Sequence, residues 1–247
     1  MTRLLGLDMA DLTLQDAARW IAARPSDAPF GYVVTPNADH LMRTRRDPQL
    51  ASIYQDALLR LLDSRVIAAA ARALGLAAPP VVTGSDLTHR LLATLPPGER
   101  ITIVGLRAEN LATLCERCGL ATPAHHDPPR GFERDPTAFR AAVRFVRDHP
   151  ARLIFLAVGS PRQERLAAAI QAEAGATGTG LCIGASLDFL AGAARRAPVW
   201  MQHVGLEWLH RLAGDPRRFA RRYLRDDPPI LALLLRERMR AGWRPGL

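Results

Sequence analysis

No stretch of the 247-residue sequence approaches the roughly 20 consecutive apolar residues that a membrane-spanning helix needs. Met1 to Ala10 also lack the basic, apolar and cleavage-site order of a secretory leader, so the chain reads as cytosolic. Only three cysteines occur, Cys115, Cys118 and Cys182, which excludes a disulfide scaffold and suits a reducing compartment. Cys115-x-x-Cys118 has the spacing of a redox or zinc pair. It falls inside the helical pattern Asn110 to Gly119, however, and no second ligand pair stands at zinc spacing, so buried or incidental thiols are the simpler reading. The adjacent His125 and His126, like Asp39 and His40, lack the further ligands that zinc requires. Neither a Walker A sequence nor Gly-x-Gly-x-x-Gly after a strand is present, and there is no Gly-x-Ser-x-Gly elbow. These absences argue against a P-loop NTPase, a nucleotide-dependent dehydrogenase and an α/β hydrolase. Lysine is missing altogether, but base composition alone can produce that bias.

What is there fits a globular enzyme. The length suits one α/β domain, with or without an appendage, and 48% hydrophobic with 23% charged residues is ordinary for a packed chain. The net charge of +9 is unevenly placed. Arg211 to Leu247 hold ten arginines against four acids and contribute +6, while the preceding 210 residues carry +3. Something anionic is expected to meet the C-terminal end.

Short β-like runs alternate with longer helical patterns. Gly31 to Thr35 reads as a strand, followed by a helix from Ala38 to Tyr54 that turns near Asp47-Pro48. Leu58 to Leu62 is a short apolar run, and Val66 to Leu74 an Ala-rich helix stopped by Gly75. Strands are expected at Arg100 to Val104, Arg152 to Val158 and near Gly180 to Gly184, with helices at Ala108 to Cys118, Thr137 to Asp148 and Pro161 to Ala174. Such alternation implies an α/β fold with a mostly parallel sheet covered by helices on both faces. The loop His125 to Phe132 is the most irregular interior segment. Ligands of open parallel sheets bind beyond the carboxyl ends of strands. That rule selects Thr35 to Asn37, Asp63 to Arg65, Gly105 to Arg107, Gly159 to Glu164 and Gly184 to Asp188 as the candidate site.

Within these segments each polar residue has two readings. Ser160, Pro161 and Gln163 form a possible capping box at the start of a helix, and the free N–H groups there suit a phosphate, with Arg162 able to add a charged hydrogen bond. The alternative is a well-capped structural helix. Asp63 is either a general base or the cap of the helix that follows. Asp188 carries the same ambiguity between sugar contact and loop capping.

Several segments, in order, resemble the WecG/TagA/CpsF glycosyltransferases: Thr35-Pro36-Asn37, Asp63 with Arg72-Ala73-Leu74-Gly75, Thr83-Gly84-Ser85-Asp86-Leu87 and Gly159-Ser160-Pro161-Arg162-Gln163-Glu164. Leu187 to Gly192, Arg196-Ala197-Pro198, Glu207 to Arg211 and Pro216 to Tyr223 continue the match, which spans roughly residues 30 to 235. The resemblance implies a Rossmann-like domain over residues 1–210 and a basic helical C-terminal appendage over 211–247. It also implies transfer of an N-acetylmannosamine-type or related hexose from a UDP-sugar to a polyprenyl-diphosphate-linked acceptor in cell-surface polysaccharide synthesis. No cofactor or metal is expected. Carried over residue by residue, Asp63 becomes the catalytic base, and Thr35, Asn37, Gln163 and Asp188 become contacts to donor or acceptor. The appendage is expected to complete the site, with Arg218, Arg221 and Arg222 as substrate-binding guanidiniums. It is also expected to touch an anionic membrane, placing the protein peripherally on the inner face of the cell membrane. A homo-oligomer is compatible with this.

Two positions depart from the family pattern. Its usual Asp-Gly is Asp63-Ser64 here, and an Arg often preceding Val-Thr-Gly is Val81. Arg65 is a candidate to supply the missing guanidinium, the alternative being a surface residue. Ile230 to Leu235 form an apolar stripe beside Arg236, Arg238 and Arg240, which reads either as an interfacial helix or as one packed on the sheet. Two other functions compete with transfer: a catalytically lapsed homologue that still binds nucleotide-sugar, and a nucleic-acid-binding protein using the basic tail. The tail's few aromatics argue against the latter.

Overall fold

The apolar runs expected as strands are short and buried on both faces, as a helix-covered parallel sheet requires. The computed structural model describes residues 1–242, with the side chains among them other than those of His203, Arg218, Ala241 and Gly242. The chain opens with an antiparallel hairpin, β1 (Thr2–Leu4) and β2 (Leu7–Met9). Its turn takes positive φ at both Leu5 (52°) and Gly6 (89°), the backbone twist that matches a pair of strands. After α1 (Leu14–Ala22) come β3 (Gly31–Val34), α2 (Ala38–Arg46), α3 (Pro48–Asp56), β4 (Leu59–Arg60), α4 (Arg65–Ala73) and α5 (Gly84–Ala93). There follow β5 (Ile101–Gly105), α6 (Ala108–Cys118), β6 (Ala124–His126), α7 (Pro136–Asp148), β7 (Leu153–Ala157), α8 (Arg162–Ala172), β8 (Thr179–Cys182) and α9 (Ser186–Ala191). The last segment holds α10 (Val199–His203), α11 (Glu207–Gly214), α12 (Pro216–Arg221), a π turn at Arg222–Asp226 and α13 (Pro229–Gly242).

Strands β3 to β8 form one sheet in the order β4-β3-β8-β7-β5-β6, and every pairing is parallel. This is the α/β, Rossmann-like architecture expected from the sequence. Side chains alternate strictly between its faces. Tyr32, Val34, Ile154 and Leu156 join one apolar layer with Leu41, Ile67 and Leu166, while Val33, Phe155 and Leu181 join the other with Ile21, Leu87 and Leu114. β8, last in sequence, lies between β3 and β7, so the strand order reverses there and opens a crevice at the carboxyl edge.

Helix starts follow from local chemistry. Asn37, Asp47, Ser64, Thr83 and Asp135 each cap a helix with a side-chain oxygen that accepts a backbone N–H. Asp47 both ends α2 and begins α3, so the expected turn at Asp47-Pro48 is real. The capping box expected around Ser160 is not formed. Pro161 occupies the cap position of α8, and no side chain caps that helix. β6 overlaps the start of the segment that reads as irregular, because its edge position leaves Ala-His-His only half-buried.

The C-terminal stripe is divided between two environments. Ile230 and Leu234, 4% and 0% exposed, belong to the same apolar layer as β3, and α13 packs against α4. Glu237 on this inner face accepts a hydrogen bond from Leu5 N at 2.9 Å, fixing the hairpin turn. Leu231, Leu235 and Met239, at four-residue spacing, face outward. The position of the expected domain boundary at 210 lies inside α11. Removing the chain after Leu224 would take the buried Ile230 and Leu234 out of the core layer and should destabilise the fold. Leu234→Ala should cost about 2–4 kcal/mol in urea unfolding, the range for a buried leucine. Leu235→Ala, one residue on and half exposed, should cost less than about 0.5 kcal/mol.

Candidate active site

Because all six strands run in one direction, the five loops selected from the sequence emerge along a single edge. Gly84, the first residue of α5, is the point where three of them meet, those carrying Thr35, Asp63 and Ser186. A Cβ built there would stand 3.0 Å from Thr35 Oγ1, 3.6 Å from Ser186 Oγ and 3.7 Å from the Ile183 carbonyl, so only glycine fits without displacing neighbours. Its N–H donates to Asp63 Oδ2 at 3.2 Å. Asp63 N in turn donates to the Pro36 carbonyl at 2.9 Å, which ties the end of β4 to the loop after β3. Ser85 and Ser186 bring their hydroxyls to 3.4 Å across the same junction.

Asp63 does not cap α4; Ser64 does, accepting from Ile67 N at 3.2 Å. The Asp63 carboxylate is thus left to the cleft and the start of α5. Desolvation pushes its pKa up to about 6, opposed by the Gly84 N–H and by the charge of Arg211, and reinforced by Glu207 and Asp86. The neighbouring acids are neutralised within their own network. Arg196 binds Asp86 at 2.7 Å and Thr83 Oγ1 at 3.4 Å, and its Nε lies 3.8 Å from Glu207. Glu207 also meets Arg211 at 3.4 Å, one helical turn on. Burial pushes Asp86 up, but hydrogen bonds from Arg196 and Thr83, with the charges of Arg196 and Arg65, hold it below its ordinary value.

The other expected site residues divide. Thr35 is buried directly after β3, next to Gly84. Asn37 is the α2 cap, and its Oδ1 accepts from His40 N at 3.4 Å and from Arg222 at 3.0 Å. His40 is held below its usual pKa by desolvation, a shift that the Glu164 and Asp39 carboxylates partly oppose. Asp188 sits in the first turn of α9 with its pKa raised by burial. Gln163, expected as a substrate contact, is 2% exposed. Its Oε1 accepts from Gly184 N at 2.9 Å and its Nε2 donates to Glu164 Oε1 at 3.0 Å, so both ends are engaged inside the fold. Its place is to hold the loop after β8 against α8.

Arg65 begins α4 and shares one groove with Val81. Arg222 is pinned by Asn37, and lies 3.6 Å from both Asp39 and Asp227. Arg221 is 78% exposed and pairs loosely with Asp226 at 3.6 Å. The side chain of Arg218 lies outside the described residues. Arg196, Glu207 and Arg211 were not singled out as site residues, although the opposite charges of Glu207 and Arg211 at i,i+4 were a readable signal. Among the described residues, no group of three or more His, Cys, Asp or Glu side chains gathers as a metal site.

This edge geometry coincides with a match over nearly the whole chain: residues 2–244 fit the model of the glycosyl transferase WecG/TagA/CpsF family. The chain belongs to that family. In this WecG/TagA/CpsF glycosyltransferase, Asp63, Thr35 and the start of α5 meet at the carboxyl edge, the charge of Arg211 on α11 acts on Asp63, and Arg222 of the π turn reaches Asn37.

The raised Asp63 pKa has a stability consequence. A carboxyl whose folded pKa exceeds its unfolded value stabilises the fold at low pH, and that stability is lost as pH rises from about 4 through about 6. Asp63→Asn removes the ionisation while keeping an acceptor for Gly84 N. The variant should match the wild type near pH 4. Above pH 6 it should be more stable by the order of 1–2 kcal/mol, since one pKa unit corresponds to about 1.4 kcal/mol and partial exposure screens the charge. Thermal melts across that range check this.

Proposed function

We propose that this glycosyltransferase moves a hexose of the N-acetylmannosamine type from a UDP-sugar to a saccharide linked to a polyprenyl diphosphate, in cell-surface polysaccharide synthesis. The observation that carries the proposal is the state of Asp63. At about 6 its pKa leaves it ionised at neutral pH yet basic enough to take a proton, the compromise a general base needs. In the reaction, Asp63 accepts the proton of the acceptor hydroxyl as that oxygen attacks the anomeric carbon. The bond from that carbon to the diphosphate breaks, and UDP leaves with the electron pair. Arg65, two residues after Asp63, and Arg211, whose charge acts on Asp63, are the guanidiniums assigned to the charge that develops on the diphosphate. Thr35, Asn37 and Asp188 are assigned to the donor sugar and nucleotide. Arg222 acts indirectly, by tying the π turn to the α2 cap.

Asp63→Asn should retain UDP binding in calorimetry and lower turnover by roughly 100-fold or more, the scale of general-base catalysis. The wild-type kcat/KM should fall as pH drops through about 6, and that acid limb should be missing from the variant. Wild-type UDP release without an acid limb would remove Asp63 from this role. No release at all, with UDP still bound, would leave a lapsed homologue.

Contact with the membrane is assigned to the outer face of α13. No helix among the described residues is long and apolar enough to cross a bilayer. Leu231, Leu235 and Met239 are exposed in one stripe flanked by the exposed Arg236, Arg238 and Arg240, which suits shallow adsorption to an anionic surface on the inner side of the cell membrane. Co-sedimentation with anionic liposomes should weaken as salt rises. It should drop further in Leu231→Glu with Leu235→Glu, a pair that leaves the buried Ile230 and Leu234 in place.

A further inference from the structure

Four guanidiniums gather in one hollow at the far end of α2 from its Asn37 cap. Arg3 on β1, Arg45 in the last turn of α2, and Arg236 and Arg240 on α13 line a pocket of about 300 Å³. None of them belongs to the loops at the carboxyl edge. Glu237, also in the lining, is its only acid among the described residues, and Leu5 N donates to Glu237 Oε2 at 2.9 Å. Four positive charges thus face one negative charge that the hairpin turn already engages. Arg3 reaches Asp8, outside the lining, at 3.7 Å, with both side chains more than half exposed. Arg45, Arg236 and Arg240 enter no ion pair among the described residues, with Glu237 or any other acid. Arg236 and Arg240 stand four residues apart on one helix, a spacing at which like charges oppose each other. Solvated arginines on a convex surface diverge, whereas here three elements far apart in the sequence bring theirs to one concavity.

The chemistry of the lining selects its occupant. A guanidinium presents paired N–H donors that match phosphoryl oxygens bidentately. Several such forks around a single acid suit an anion with two phosphoryl groups better than a lone carboxylate. The volume lies at the low end of the range for small-molecule pockets, so a diphosphate with few further atoms fills it. A lipid headgroup and a soluble phosphate compound share this chemistry, and the position of the pocket on α13 separates them. At about 100° per residue, Leu233 and Glu237 of the lining each stand about 200° around the helix from Leu235. Leu235 is the middle of the exposed stripe of Leu231, Leu235 and Met239. A bilayer against that stripe lies across the helix from the pocket floor, which favours a soluble anion. This choice of source rests on the membrane face assigned under Proposed function, whereas the site itself does not.

We propose that this pocket binds a soluble diphosphate-type anion, which ties α13 and the N-terminal hairpin to the end of α2. Inorganic pyrophosphate is the probe, added to the full chain at fixed ionic strength. The wild type should bind it in calorimetry, and at a hundredfold excess over the Kd its Tm should rise by roughly 5–10 °C. Arg45→Ser, a change at an exposed position, should lose about tenfold or more in affinity, the scale of one charged hydrogen-bonded contact. Arg45→Glu sets a carboxylate among the remaining guanidiniums. It should melt no lower than the wild type without pyrophosphate, and gain no Tm when pyrophosphate is added. Equal affinity in the wild type and Arg45→Ser, or no binding by the wild type, would overturn the site. So would a Tm rise in Arg45→Glu as large as that of the wild type. Pelleting with vesicles of phosphatidic acid or of phosphatidylserine, at matched charge, covers the lipid source. A preference for phosphatidic acid that Arg45→Ser abolishes, without pyrophosphate binding, would give the pocket to a headgroup and overturn the soluble anion. None of these readouts needs glycosyl transfer, so failure of the proposed function leaves them intact.

Discussion

The carboxyl group proposed as the base is held here where ionisation is costly. The Asp63 carboxylate is desolvated at the meeting of two strand ends and a helix start, and the Gly84 N–H and the charge of Arg211 only partly offset that cost. Much of the surrounding construction follows from this one constraint. Gly84, on which Thr35, Ser186 and the Ile183 carbonyl close in, donates its N–H to Asp63. Asp86 and Glu207, which would push the pKa higher still, are partnered by Arg196 and Arg211. Ser64 relieves Asp63 of capping α4.

The helices after Pro198 belong to the same electrostatic arrangement. Arg222 reaches the N-cap oxygen of α2 and lies near two carboxylates, Asp39 and Asp227. Desolvation pushes Asp227 up to about 6, and the nearby Arg222 charge opposes the shift. The charge of Arg211 acts on Asp63 while its guanidinium lies 5.8 Å over the Phe189 ring. The excess of arginine at the C-terminal end is thus not all a free basic surface. Part of it is consumed within the protein, where Arg222 meets Asp39 and Asp227 and Arg211 meets Glu207.

Much of the sheet could be read from the sequence because its strands are continuous apolar runs ending in Gly, Pro or Asp. The carboxyl-edge rule then placed the loops of Thr35, Asp63, Gly159 and Gly184 together before any geometry was known. The hairpin β1–β2 was not readable: each strand has three residues, and its turn puts Leu5 at a φ that leucine rarely adopts. The capping reading of Gln163 failed because a Ser-Pro-x-Gln sequence resembles a cap, whereas the buried amide holds the loop after β8 against α8. Arg221 and Arg222 are adjacent and chemically identical, yet one is exposed and the other pinned. Only the tertiary position of the π turn separates them. In α13, one apolar stripe in the sequence proved to be two faces with different destinations.

That division makes α13 a shared element of folding and adsorption. Its inner face contributes Ile230 and Leu234 to the core and Glu237 to the turn at Leu5, while its outer face offers Leu231, Leu235 and Met239 to whatever lies outside. A surface that adsorbs the outer stripe needs the helix formed and seated, so it recognises the folded chain and not the unfolded one. By mass action such a surface acts as a stabilising ligand for the entire α/β domain. The lifetime of the folded enzyme would then depend on how much lipid is within reach, and a chain stranded in solution would be the first to unfold on warming.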